Sequence, residues 1–184
     1  MQTNNSKFQN FLDKFTEVSV KVGNQVHLRT LRDAFATIMP MFILAGLAVL
    51  VNNVIFPWFL KGDMLAKFQV FGNVITNGTL NIASILIAPM IAYFLSRNKN
   101  YENPIAATAI ATSGLFIMMA MNHTVTALDG KTTVDVAGIV TYTELGTQGM
   151  FAGIIVGLLA TEVFMKLTKV KFLQINSVNK YHLQ

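Results

Sequence analysis

The side chains best suited to acid–base or metal chemistry in this sequence are few: His27, His123, His182 and one acid inside a long apolar run, Glu162. No two histidines stand four residues apart, the spacing at which a helix presents two ligands to one ion, and the chain has no cysteine. No metal site is predicted. His123, within MNHTV, reads as a polar residue near a helix end. Glu162, within GLLATEVF, precedes Lys166 by one turn, and a Glu-to-Lys pair at that spacing stabilises a helix end by about 0.2–0.5 kcal/mol. An acid at such a depth is also a functional candidate. No glycine-rich phosphate loop, nucleophile elbow or catalytic triad is present, so no catalytic residue and no cofactor are predicted. The remaining chemistry belongs to amides. Asn52, Asn53, Asn73, Asn77, Asn81 and Asn122 fall in or beside apolar runs, where an amide must face protein or water. Helix packing is their ordinary role and binding of a hydroxyl-rich ligand the functional one, for which Asn77, Asn81 and Asn122 are the candidates.

The elements holding these residues follow from composition. The chain of 184 residues is 53% hydrophobic and only 12% charged, against about 25% charged in soluble domains. Four runs, 34–60, 68–96, 103–128 and 145–165, carry almost no charge, and each is long enough for the roughly 20 helical residues that cross a hydrocarbon core. Four such runs leave too little polar surface for a soluble fold. The fold class is therefore all-α: a polytopic membrane protein of about four transmembrane helices. Of the 14 Lys and Arg residues, only Lys61, Lys67 and Lys131 fall on the side opposite to the other eleven, which places both termini in the cytoplasm. The net charge of +5 is thus a topology signal, and with no basic stripe interleaved with aromatics no nucleic-acid partner is predicted.

Ahead of the first run, Phe8, Phe11, Leu12, Phe15, Val18 and Val22 recur at helical spacing among charged residues, predicting an amphipathic helix on the cytoplasmic face that breaks at Gly23 and Asn24. No cleavable signal peptide is read at the start. Trp58 and Phe59 mark an interfacial anchor at the outer end of the first span. The outer segment ALDGKTTVDVAGIVTYTELGTQG has an Asp-Gly turn followed by β-favouring residues, consistent with a short hairpin. GMFAG, Gly149 to Gly153, with Gly157 four residues on, offers a small-residue face for close helix contact within or between subunits.

Three stretches, LRDAFATIMPMFILAG at Leu31 to Gly46, NGTLNIASILIAPMIAYFLSRNKNYENPIAATAIATSGLFIM at Asn77 to Met118, and LGTQGMFAGIIVGLLATEVF at Leu145 to Phe164, give the chain a family resemblance. It resembles the N-terminal half of enzyme IIC, the permease component of the bacterial phosphoenolpyruvate-dependent sugar phosphotransferase system, in its lactose, cellobiose and chitobiose branch. Ala34 stands where that family usually has glycine. The resemblance implies a cytoplasmic-membrane homodimer that takes up a β-linked disaccharide and phosphorylates it with phosphate from a cytoplasmic enzyme IIB. It further implies that the histidine and glutamate of the sugar pocket belong to the other half of such proteins, so His123 and Glu162 do not inherit those roles.

The expected organisation is a cytoplasmic amphipathic segment over 1–33, a four-span scaffold half over 34–165 and a cytoplasmic tail over 166–184. After TKVKFLQI the family pattern implies a Met-Pro rich segment and a fifth span, whereas this chain reads NSVNKYHLQ. The expectation is a chain cut by a frameshift or early stop, aberrant from about Asn176, marginally stable and inactive in transport alone. The alternatives are a non-transporting membrane interaction protein, dimerising through its GxxxG face and competing with the full-length permease, and a small channel of oligomerised bundles.

Overall fold

A computed structural model of the chain describes residues 9, 12–17, 20 and 23–169. Two long helical arms come first. Helix α1 (Val26–Leu50) runs through a π-helical turn (Val51–Ile55) into the short α2 (Phe56–Phe59). The chain then reverses at Lys61 and Gly62, the latter at φ 59°, a left-handed conformation that glycine adopts without steric cost. Helix α3 (Gly62–Asn77) leads by a 3-10 turn (Leu80–Ile82) into α4 (Ala83–Asn98). Asn98 bonds Thr30, Ile87 and Ile91 pack with Ala34 and Ile38, Asn73 bonds Asn52, and Phe68 meets Phe56 edge to face. The two arms are therefore antiparallel along their length.

A tight turn follows α4. The Asn100 amide bonds the Arg97 carbonyl and the Tyr101 amide bonds the Ser96 carbonyl, with Asn100 itself at φ 53°, closing the helix end in a Schellman-type cap. Asn103 caps α5 (Pro104–Met118) by accepting from the Ala106 amide at 3.1 Å, and Pro104 occupies a first-turn position where a missing N–H costs nothing. Beyond α5 lie β1 (Asn122–Thr126) and β2 (Thr133–Ala137), antiparallel with Asn122 opposite Ala137, then the short α6 (Tyr142–Leu145) and finally α7 (Met150–Thr168). The hairpin read from the Asp-Gly turn is present. Its turn is organised by Asp129, whose carboxylate accepts from the Thr132 hydroxyl and from the Thr132 and Lys131 amides.

Helix α4 is the centre, packing against α1, α5 and α7. Its buried residues come in adjacent pairs every four positions, from Ala83 and Ser84 to Leu95 and Ser96, so two neighbouring stripes are available for different partners. Helix α7 runs parallel to α4 and inverts the soluble pattern. Gly153, Gly157, Thr161 and Met165 face inward, whereas Phe151, Ile155, Leu159, Val163 and Leu167 are exposed. Small residues inside and large aliphatic ones outside is the arrangement of helices that meet each other in lipid. A Cβ on Gly157 would stand 2.9 Å from the Ala88 carbonyl oxygen, so the two backbones touch there.

Several expectations shift. The second apolar run is divided at Gly78 and Thr79, where Thr79 leaves helical geometry (φ −132°, ψ −80°). The third stops being helical at Met118, because Met119 is extended and the residues after it pair as a strand, so His123 lies on β1. Among the described residues three helical segments are long and apolar enough to cross a membrane: Val26–Phe59, Gly62–Asn98 and Met150–Thr168. The fourth, α5, has 15 residues and reaches about 22 Å. Residues 12–17 of the expected amphipathic segment are helical. Phe8, Phe11, Val18, Val22 and the tail from 170 onward lie outside the described residues.

Gly157→Ala is expected to lower thermal stability in detergent by about 1–3 kcal/mol. Gly46→Ala, where an added Cβ meets nothing within 4 Å, should be neutral or stabilising by up to about 1 kcal/mol; equal effects at both sites would refute the close contact. The Thr132 hydroxyl, then the Thr132 and Lys131 amides, lower the Asp129 pKa from 3.8 to about 2. The turn contribution of this depressed carboxylate is therefore complete above about pH 4 and lost as pH falls through 2. The Asp129 carboxyl 13C shift should titrate near pH 2, and Thr132→Val should move the midpoint upward.

Candidate functional site

The bundle has two chemically different ends. At the end where α1 begins, Glu162 on α7 is shared: its Oε1 accepts from the Lys99 ammonium and faces His27 Nε2 at 3.0 Å. The Asn98 amide donates to the Thr30 hydroxyl at 3.1 Å beside it. Three elements far apart in sequence are thereby tied together. The helix-end pair expected between Glu162 and Lys166 is replaced by these cross-helix contacts, because the α4–α5 turn delivers Lys99 to the face of α7 that carries Glu162.

At the opposite end, Ser84 opens α4 and donates to the carbonyls of Glu144 and Leu145 at 3.1 and 2.7 Å, fixing α6 over the mouth of the bundle. The Glu144 side chain turns back toward the hairpin. Its Oε1 accepts from the Ala120 amide at 3.1 Å, and its Oε2 lies 3.0 Å from His123 Nε2. The same nitrogen is 2.9 Å from the Ala120 carbonyl, so it must carry a proton. One N–H cannot fully satisfy both acceptors, and Glu144 Oε2 is buried beside the ring without a hydrogen-bond partner of its own.

Between α6 and the start of α4 lies an open groove of about 220 Å³, lined by Asn81, Tyr142, Thr143, Thr147 and Gln148. Asn81 donates to Asn77 Oδ1 at 2.7 Å, so two of the three amides singled out from sequence are brought together. Asn122 is not among them: it sits exposed on β1 and does not line the groove. Two amides, two hydroxyls and an exposed tyrosine ring form a surface that can bond and stack against a polyhydroxylated ligand. Tyr142, Thr143, Thr147 and Gln148 escaped the reading of the sequence, although TYTELGTQG is a polar stretch leading into the last apolar run.

Of the other amides, Asn53 is exposed and donates to the Val49 carbonyl one turn back, whereas Asn52 and Asn73 serve packing. Asn52, at the π-helical turn, donates to the Gln69 carbonyl and to Asn73 Oδ1 at 3.0 Å each, and Gln69 answers with a bond to the Asn52 carbonyl. Gly72 makes room, since a Cβ there would sit 2.5 Å from the Asn52 side chain. Among the described residues no group of three or more His, Cys, Asp and Glu is placed to hold a metal ion.

The family model described as phosphotransferase system, EIIC, matches residues 32–177. The chain belongs to the EIIC family. Among curated EIIC proteins it is similar to the oligo-beta-mannoside-specific EIIC component of Bacillus subtilis (strain 168), 24% identical over 163 residues, covering 88% of this chain and 36% of that protein. A cellobiose-specific EIIC component from Geobacillus stearothermophilus is 24% identical over 162 residues, covering 84% of this chain and 35% of its own length. The fold matches the crystal structure of ChbC, the IIC component of the N,N'-diacetylchitobiose-specific phosphotransferase system, with a TM-score of 0.74 at 23% identity, over 88% of this chain and 38% of ChbC. This EIIC chain spans about a third of the length of the curated relatives it matches.

Glu162→Gln is expected to cost about 1.5–3 kcal/mol, the range for hydrogen bonds to charged groups. A double-mutant cycle with Lys99→Gln should show coupling when thermal unfolding is followed in detergent, and strict additivity would exclude the cross-helix tie.

Proposed function

We propose that this EIIC chain forms the scaffold side of a sugar permease that takes up a β-linked disaccharide of the cellobiose type. The observation that carries this reading is the amide- and hydroxyl-lined groove at the mouth between α4 and α6. Asn81 contacts the sugar directly and Asn77 orients it through their mutual bond, while Asn122, outside the groove, takes no part. The names of the relatives, specific for oligo-beta-mannosides, cellobiose and N,N'-diacetylchitobiose, support a β-linked substrate class.

The reacting groups come from elsewhere in the complete permease, and the phosphate comes from a cytoplasmic enzyme IIB; these residues alone do not transport. His27 and His123 are each engaged by a glutamate at opposite ends of the bundle, which supports a structural rather than a phosphoryl-accepting role. The protein spans the cytoplasmic membrane with both termini inside, supported by the crowding of Lys and Arg at the end where α1 begins. It works as a homodimer in contact with lipid. Gly153 and Gly157 already pack on α4 within the protomer, so the subunit contact uses another face than the GxxxG stripe, and the exposed aliphatic residues of α1 and α3 provide one.

The test is a chimera in which residues 26–169 replace the corresponding segment of the cellobiose-specific relative. Phosphoenolpyruvate-dependent phosphorylation of cellobiose should persist, and Asn81→Ala or Gln148→Ala should raise KM up to about tenfold with kcat little changed, the loss of one hydrogen bond to substrate. A chimera that inserts and folds without phosphorylating cellobiose sinks the scaffold reading, and an unchanged KM sinks the role of the groove.

A further inference from the structure

We propose that the cavity at the basic end of the bundle binds the phosphate headgroup of an anionic phospholipid. The cavity, about 510 Å³, lies between the α4–α5 turn and the last turns of α7. Its charged lining consists of Lys99, Lys166 and Lys169 with Glu102 and Glu162. Glu162 is already taken by Lys99 and His27, so it neither repels an anion nor leaves Lys99 free. Among the described residues no acid pairs with Lys166 or Lys169. Lys166 and Lys169 therefore line the cavity with only the exposed Glu102 against them.

The surroundings fit a lipid better than free phosphate. Met165, 5% exposed, provides an apolar element of the lining, and Tyr101 stands edge-on to Phe164 with ring centroids 5.8 Å apart. Tyrosine at such a boundary presents an apolar ring and a polar tip to an interface. Close in sequence to lining residues, Ile105, Val163 and Leu167 are exposed, apolar surface that acyl chains cover and inorganic phosphate cannot. Basic pockets between transmembrane helices recognise anionic headgroups by this combination of ammonium groups and adjoining apolar wall. The inference rests on the membrane-spanning fold and is independent of the transport reading.

The test uses the full chain in nanodiscs of phosphatidylcholine with a quarter phosphatidylglycerol, and counts by native mass spectrometry the lipids that leave the disc with the protein. Phosphatidylglycerol should be enriched severalfold over its share of the disc. The enrichment should fall in the Lys166→Gln/Lys169→Gln pair, survive in the Lys166→Arg/Lys169→Arg pair, and rise in Glu102→Gln. Lys131→Gln, which removes the same charge from the hairpin loop, should leave it unchanged. Equal retention of both lipids, enrichment that persists without the two lysines, or an equal loss in Lys131→Gln would overturn the proposal. Displacement of the lipid by millimolar inorganic phosphate would overturn it too, by making the cavity a free-phosphate site.

Discussion

The backbone contact of α7 with α4 at Gly153 and Gly157 constrains the rest of the molecule. In lipid, apolar side chains gain nothing by leaving hydrocarbon for a protein interior, so helices associate through close packing of small residues. With Ala88 and Ile91 lying directly against Gly157, α4 and α7 come near enough for α5 to fill the groove beside them, where Ala92, Ala107 and Ala111 meet under Phe164. The same approach delivers Glu162 within reach of Lys99 at one end and brings α6 over Ser84 at the other. A larger residue at Gly157 would part the helices and loosen both ends at once.

The two ends depend on that contact in different ways. The basic end is held by a single carboxylate oxygen serving two partners, the Lys99 ammonium and the His27 ring, a partly buried arrangement whose removal leaves Lys99 without its counter-charge. The opposite end relies mostly on neutral groups, serine on backbone carbonyls and an amide pair, with the Glu144 carboxylate anchoring the hairpin root at the Ala120 amide. A neutral, hydroxyl-rich groove suits an uncharged sugar, and a cationic cavity suits an anion. The two ends of the bundle thus differ in polarity along its axis.

Farther from this core, α1 and α3 form an arm held by side-chain amides. The Asn52 and Gln69 exchange, with Asn73 joining it, gives two otherwise exposed helices a directional contact that aliphatic packing would not supply. The π-helical turn at Val51–Ile55 carries Asn52 to that position, in keeping with the tendency of such turns to re-aim a single side chain. Trp58 and Phe59, exposed at the tip of the first arm, stand where the sequence suggests an interfacial anchor.

Composition and charge alone determined the class of this protein: apolar runs separated by polar turns, with Lys and Arg gathered on one side, admit a helical membrane protein and little else. The short hairpin was legible too, from Asp129, Gly130 and the β-branched residues after them, because turn chemistry is local. The tertiary structure decided where the runs break. Thr79 and Met119 leave helical geometry inside stretches whose hydropathy gives no sign of it, since hydropathy records solvent preference and not backbone direction. It also decided the partners of the polar residues. Nothing in the spacing of Glu162 distinguishes Lys166 on its own helix from Lys99 and His27 on others, and Asn81 and Asn122 look alike until folding places one beside Tyr142 and Gln148 and the other on an exposed strand. Pairing across helices depends on which faces the small residues bring together, and that is fixed only when the helices pack.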